Sequence, residues 1–248
     1  MNISASYKYE LKSSKTPVIV FLSIFAAIDA IAIVSNMIAT ATGTESMFRF
    51  TGQEISIIIC LFILGIVLFL ENLKMTVQNG ISRRSYFISK VLSVLSVSAI
   101  CSVINLAIAE IYRLFIPENK SITDMLYREY FADAGYAAGL FTNLLWSFAM
   151  CVAFSLAGCF IAALVYRMPK YVRYVFFGSL WAVMVIVIPV IENVCFDGAI
   201  IFAIKDFILL ATGVGSGNPF AMVISCFVAS AVFSALLWIV MRRMPVKK

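Results

Sequence analysis

The sequence predicts an all-α, polytopic membrane protein: six transmembrane helices, an N-terminal interfacial helix, a cytoplasmic hairpin between the second and third helices, and an extracellular re-entrant segment before the last. Three observations predict it. Of 248 residues 62% are hydrophobic and only 13% charged, and the mean hydropathy is +1.00, far outside soluble composition. The apolar residues fall in runs long enough to cross a hydrocarbon core of about 30 Å as helices, which satisfy their own backbone hydrogen bonds. The basic residues also segregate. Of nineteen Lys and Arg, fourteen fall in segments this topology places inside: Lys8, Lys12, Lys15, Lys74, Arg83, Arg84, Lys90, Arg167, Lys170, Arg173, Arg242, Arg243, Lys247 and Lys248. This is the positive-inside asymmetry of a multi-pass plasma-membrane protein with both termini cytoplasmic. It accounts for the net charge of +6 without a nucleic-acid partner. Little polar sequence remains for a soluble domain, so residues 1–248 form one membrane domain.

In the first segment, 3–15, Ile3, Tyr7 and Leu11 recur every fourth residue while Lys8, Lys12 and Lys15 lie on other faces, which suits a helix in the inner interface, with a disordered basic tail as the alternative. Pro17 then opens the first span, 17–41, at the position where its missing N–H does no harm. Asp29 lies about 18 Å beyond Pro17 along a helix, near mid-membrane, where a carboxylate needs a partner or an aqueous path. With Asn36 it is a candidate for a translocation pathway or gate, and a structural hydrogen bond between helices is the competing reading.

The second span, 55–79, is about 37 Å long, so its end projects inward. Asn79-Gly80 reads as a helix stop, because glycine reaches the left-handed conformation freely, and Ser82 reads as the next N-cap. A tight helical hairpin over 71–90 follows. The third helix, 83–116, carries Asn105 as its mid-membrane polar group, a further pathway candidate. Glu110 and Arg113 share a face near the outer end as a solvated ion pair. Residues 117–135 form a polar outer loop. The fourth helix, 138–165, ends in a short basic inner loop from Arg167 to Arg173. The fifth, 174–192, carries Pro189 and ends at Glu192, the last pathway candidate. Residues 196–212 contain an apolar stretch too short to cross, interrupted by Lys205-Asp206, and read as re-entrant or interfacial. The stretch Gly213 to Asn218 reads as a flexible hinge, and it lacks the Gly-Lys-Ser/Thr of a phosphate loop. The sixth helix is 220–241.

Absent residue types narrow the chemistry. Histidine does not occur, which removes imidazole bases, histidine metal sites and Ser-His or Cys-His catalysis. Cys60, Cys101, Cys151, Cys159 and Cys226 lie in apolar runs and only Cys195 in an outer segment, without CxxC spacing, so they read as packing residues. An intramembrane aspartyl enzyme needs a second deep acid, and none accompanies Asp29. No catalytic, metal or cofactor-binding residue is predicted.

The layout, together with Asn79-Gly80-Ile81-Ser82-Arg83-Arg84-Ser85-Tyr86-Phe87 followed by Lys90, resembles the permease subunit of type-2 ABC exporters, the ABC-2 family. That resemblance implies two permease chains, as homodimer or heterodimer, and two separate ABC ATPase subunits carrying ATP and Mg. The ATPases would dock on Gln78, Asn79, Gly80, Ile81, Ser82, Arg83, Arg84, Tyr86 and Phe87. It also implies export of amphipathic or antimicrobial peptides, with lipid or hydrophobic-drug export as the alternative. A sensor or assembly protein without transport would keep the same helices.

Overall fold

The computed structural model describes residues 3–42, 53–115, 121–183, 199–242 and 244. Among these every regular element is helical: α1 (Ile3–Thr42), α2 (Gln53–Gln78), α3 (Arg83–Phe115), α4 (Ile122–Leu126), α5 (Arg128–Asp133), α6 (Tyr136–Arg167), α7 (Lys170–Ala182), α8 (Ala199–Thr212) and α9 (Pro219–Arg242), with a 3-10 turn at Val214–Ser216 before α9. Five helices, α1, α2, α3, α6 and α9, are long and apolar enough to cross a membrane. The helix expected over 174–192 is represented by α7 from Lys170, and its later part lies outside the described residues.

Four expected helices recur within two residues of their predicted ends: 55–79 as α2, 83–116 as α3, 138–165 as α6 and 220–241 as α9. The N-terminal region differs. In place of an interfacial helix 3–15 and a span opening at Pro17, a single helix of 40 residues runs through Pro17, roughly 60 Å at the α-helical rise. An interior proline costs one backbone hydrogen bond. Here packing offsets that loss, because the turns before Pro17 bury Ser6, Glu10 and Ser14 against α2 and α3. The stripe that turns inward is thus the polar one, while Lys8, Lys12 and Lys15 remain exposed.

The bundle is built around α6, which packs on α2, α9 and α3. Its contact with α2 is the most extensive in the molecule, and two glycines set its closeness. A Cβ on Gly158 would lie 2.3 Å from the Phe62 carbonyl oxygen, and one on Gly65 would lie 2.5 Å from the Ser155 carbonyl oxygen. Small residues allow this backbone approach in membrane bundles, where dispersion rather than water exclusion drives association. Around the contact, Trp146, Ala149, Val152, Leu156, Cys159 and Ala163 are buried.

Side-chain pairs fix the relative directions. Lys74 lies over the Tyr166 ring at 5.7 Å, bringing the ends of α2 and α6 together. Phe87 meets Trp238 at 5.2 Å, bringing the start of α3 to the end of α9. Ser6 meets Ser89, so α1 and α3 start together. One end of the bundle therefore collects the α2–α3 hairpin, the starts of α1 and α3 and the ends of α6 and α9: the hairpin end. The other, the loop end, carries α4, α5 and the turn before α9.

Within the loop expected at 117–135, α4 and α5 are ordered helices. Ser121 caps α4, its hydroxyl accepting from the Thr123 N–H while Asp124 accepts from the Ser121 N–H. Tyr127 is buried and donates to the Thr212 carbonyl at 2.5 Å, tying this loop to the end of α8. Burial pushes its phenol up from the ordinary value. The glycine stretch expected as a flexible hinge is a closed turn. Gly213 and Gly217 are left-handed, the Asn218 N–H bonds to the Gly213 carbonyl at 3.0 Å, and the Asn218 side chain accepts from the Phe220 N–H at 3.0 Å, which caps α9 with Pro219 in its first turn.

Candidate functional site

The hairpin closes as its residue types dictate. Gly80 has φ +75. Its N–H bonds to the Val77 carbonyl and the Ile81 N–H to the Thr76 carbonyl, the paired bonds of a Schellman stop. Two residues on, the Ser82 hydroxyl accepts from the Ser85 N–H at 3.2 Å, and the Ser82 carbonyl takes the first helical bond from Tyr86. One helix ends and the next begins within four residues, leaving no slack between them.

Beneath the turn lies a buried polar seam joining α1, α2 and α3. The Lys90 ammonium donates to Glu10 Oε2 at 2.9 Å, with both side chains almost wholly withdrawn from solvent. Ser89 donates to the Tyr86 carbonyl at 2.8 Å, so its single proton is spent and the Ser6 hydroxyl is the donor in their 2.7 Å contact. Ser13 donates to Asn72 Oδ1 at 3.1 Å. The Tyr86 hydroxyl, fully buried, donates to the Phe69 carbonyl at 2.8 Å. Tyr7 and Ser96 extend the seam at 2.7 Å. Glu10 Oε1 and Asn72 Nδ2 have no hydrogen-bond partner among the described residues. A small cleft between α1, α2, α3 and α6 borders the seam, with Ser14, Lys90, Ser93 and Ser155 on an apolar floor that includes Leu64 and Leu68.

This geometry sorts the predicted docking residues. Gln78, Asn79, Gly80, Ser82 and Arg84 are exposed at the tip, and Ile81 and Arg83 are half-buried. Arg83 donates from Nη1 to the Arg242 carbonyl at 3.0 Å, latching the hairpin to the end of α9. Tyr86 and Phe87 do not belong to the outward surface. Tyr86 is at 0% exposure in the core, and Phe87 packs on Trp238, because both lie on the face of α3 that turns toward the bundle. Glu10 is the functional-site residue the sequence reading passed over, although Ser6, Glu10 and Ser14 recur at helical spacing.

The predicted pathway residues are not gathered into one site. Asp29 and Asn36 share the buried face of α1. Asn36 donates to its own helix at the Ala32 carbonyl. Asn105 is buried in α3 with Oδ1 unpartnered, and Glu192 lies outside the described residues. Asp29 lies level with the first turn of α2, where Gln53 bonds to its Oδ2 at 2.6 Å. Its Oδ1 is buried without a partner. A helix N-terminus stabilises a nearby carboxylate by about 0.3–2 kcal/mol, whereas withdrawing an uncompensated charge from water costs several kcal/mol. Burial wins, and an ionised Asp29 is poorly provided for.

Among the described residues no group of three His, Cys, Asp or Glu is placed to hold a metal ion. Comparisons of the chain with protein-family models, with curated proteins and with solved structures give no match. The functional reading therefore rests on the chain's own geometry.

Proposed function

We propose that the chain is the membrane-spanning permease subunit of an ATP-driven exporter, coupled to a separate ATPase through the hairpin tip. The observation that carries the reading is the hairpin itself. Its turn is closed by a left-handed glycine and a serine cap, its tip is exposed, and its root is fixed to α1 by buried polar bonds and to α9 by the exposed Arg83–Arg242 bond. A force applied at such a tip is passed to three helices instead of being lost in a loose loop. Arg84 faces solvent and suits bidentate bonding to a partner carboxylate, whereas Arg83 already serves the latch to Arg242. The contact surface is thereby narrowed to Gln78, Asn79, Gly80, Ser82 and Arg84, with Ile81 beside them. Exposed Lys8, Lys12, Lys15, Arg84, Arg167 and Arg242 gather at this end, which supports placing it on the cytoplasmic side of the plasma membrane.

The working unit in this reading pairs two permease chains with two ATPases that hold ATP and Mg. ATP-driven closure of the ATPases pushes on the hairpins and rocks the bundles. The largely apolar helix surfaces favour an amphipathic cargo, and an amphipathic or antimicrobial peptide is the reading we adopt. The test is co-expression with the ATPase encoded beside the chain. Stable co-purification that Arg84→Glu abolishes, with ATP hydrolysis uncoupled from transport in Gly80→Pro, is the expected result. A complex indifferent to both changes, or no ATPase partner, rejects the docking reading and leaves a sensor or assembly role. Stimulation of ATP hydrolysis by lipids and not by amphipathic peptides would move the cargo to lipid or hydrophobic drug.

A further inference from the structure

We propose that Asp29 is a proton-binding site near the loop end, and that the neutral carboxyl, paired with Gln53, is the state that holds α1 against the first turn of α2. This inference does not depend on the exporter reading. Asp29 is 4% exposed and is the only charged-type residue of α1 beyond Lys15. An ionised carboxylate presents about four acceptor sites. Here a single carboxamide meets one oxygen, while the other oxygen is buried with nothing to accept from.

A bound proton changes that count. The carboxyl becomes a donor, and Gln53 can turn its carbonyl oxygen toward it, since the two ends of a carboxamide are assigned from the bonding network. The 2.6 Å separation fits O–H···O bonds, which run about 2.5–3.0 Å, and is short for N–H···O at about 2.7–3.2 Å. Among the described residues no cation answers the charge instead. On α2 the neighbouring titratable group is Glu54, buried and of the same sign. On α3 the pairing of Ser6 with Ser89 sets a register that puts Asp29 level with the stretch bearing Glu110, Tyr112 and Arg113. Glu110 accepts from the Tyr136 hydroxyl at 2.7 Å, and Arg113, with a half-exposed side chain, lies 3.9 Å from Glu110. Among the described residues Asp29 has no ion pair. Gln53 begins α2 at the loop end, so the site belongs to that end of the bundle, and loss of the proton leaves a buried charge that opens the α1–α2 contact.

The test is infrared spectroscopy of the full chain in lipid nanodiscs. The wild type at neutral pH is expected to show a protonated-carboxyl C=O band that shifts in heavy water, moves on carboxyl-labelling of aspartate, disappears in Asp29→Asn and persists in Glu54→Gln. The unfolding midpoint provides a second readout. If the folded state holds a proton that the unfolded state releases, stability is present at low pH and lost as pH rises. The wild-type midpoint should therefore fall between about pH 5 and about pH 9, and that of Asp29→Asn should stay flat. Absence of the band in the wild type, a band insensitive to aspartate labelling, a band removed by sodium at fixed pH, or an equal pH slope in Asp29→Asn overturns the proposal. The labelling arm needs only wild-type protein and stands even if the variant fails to fold.

Discussion

The two ends of the bundle differ in whether a buried acidic group is answered by an opposite charge. At the hairpin end, Glu10 is matched by Lys90, Ser6 by Ser89, Ser13 by Asn72 and the Tyr86 hydroxyl by a backbone carbonyl, and these bonds cross between helices. Unpartnered atoms occur at both ends, Glu10 Oε1 and Asn72 Nδ2 at the hairpin end and Asp29 Oδ1 and Asn105 Oδ1 toward the loop end, but among the described residues Asp29 has only the neutral Gln53 as its side-chain partner. In a low-dielectric interior a paired charge fixes one arrangement, while an uncompensated one costs stability and favours whatever change neutralises it. In the exporter reading proposed above, the bonds across helices make the hairpin end the rigid joint, and the uncompensated Asp29 makes the loop end the responsive one.

The largest test of that contrast is Lys90→Met. It strands the Glu10 carboxylate in a site at 0% exposure, and breaking a buried pair by removing one partner costs about 3–5 kcal/mol. Unfolding in detergent should shift by that amount. Replacing both partners, Glu10→Leu with Lys90→Met, should restore most of the loss, because desolvation of the pair is removed along with its attraction. If Lys90→Met unfolds like the wild type, the seam is not a rigid joint and the comparison between the ends fails.

Next in size is Gly158→Ala, which probes the packing that both ends share. The added methyl meets a backbone oxygen of α2 at 2.3 Å, and backbone cannot rotate aside as a side chain does. Overpacking of this kind costs about 1–3 kcal/mol, read as a lowered unfolding midpoint. Gly80→Ala meets nothing within 4 Å, so its cost is confined to the left-handed backbone, about 1–2 kcal/mol. Equal effects would mean that the turn and the α2–α6 contact are limited by the same strain.

How much of this was legible in the sequence depends on how local the determinants are. The hairpin ends were readable because Gly80 and Ser82 act on their own backbone within four residues. The Glu10–Lys90 pair was not readable, since its partners are 80 residues apart and the apolar repeat Ile3, Tyr7, Leu11 is the more conspicuous pattern. Only tertiary packing reveals that the stripe of Ser6, Glu10 and Ser14 faces inward. Asp29 was recognised as unusual, but its partner Gln53, 24 residues away, was not readable, because that pairing depends on how α1 packs along α2. Tyr86 and Phe87 suited an interface by residue type, yet which face of α3 they occupy follows from where α9 and α2 lie. The ordered turn at Gly213 to Asn218 was missed for a similar reason. Glycine signals a special backbone conformation, and whether that conformation is loose or locked depends on bonds such as Asn218 to Gly213.

A smaller change sharpens the contrast from the loop end. Asn105→Leu replaces a buried amide that has an unpartnered oxygen with an apolar side chain of similar size. Leaving a buried polar group unsatisfied costs about 1–3 kcal/mol, and replacing it by an apolar group is neutral or stabilising. An unfolding midpoint unchanged or raised by the equivalent of about 1 kcal/mol is expected. A clear loss of stability would show that Asn105 is paired in the folded bundle and that the loop end is as well satisfied as the hairpin end.

The smallest expected effect on stability carries the most information about function. Arg84 is exposed at the tip, and surface substitutions remote from buried features stay within about 0.5 kcal/mol. Arg84→Ala should therefore unfold like the wild type. Arg83→Ala, by contrast, releases the Arg242 carbonyl and should loosen the end of α9, seen as faster hydrogen exchange in its last turn. If coupling to an ATPase falls in Arg84→Ala at unchanged stability, the tip serves as a contact and its root as the joint. If coupling falls only in Arg83→Ala, the latch to α9 carries the push and the exposed tip is incidental.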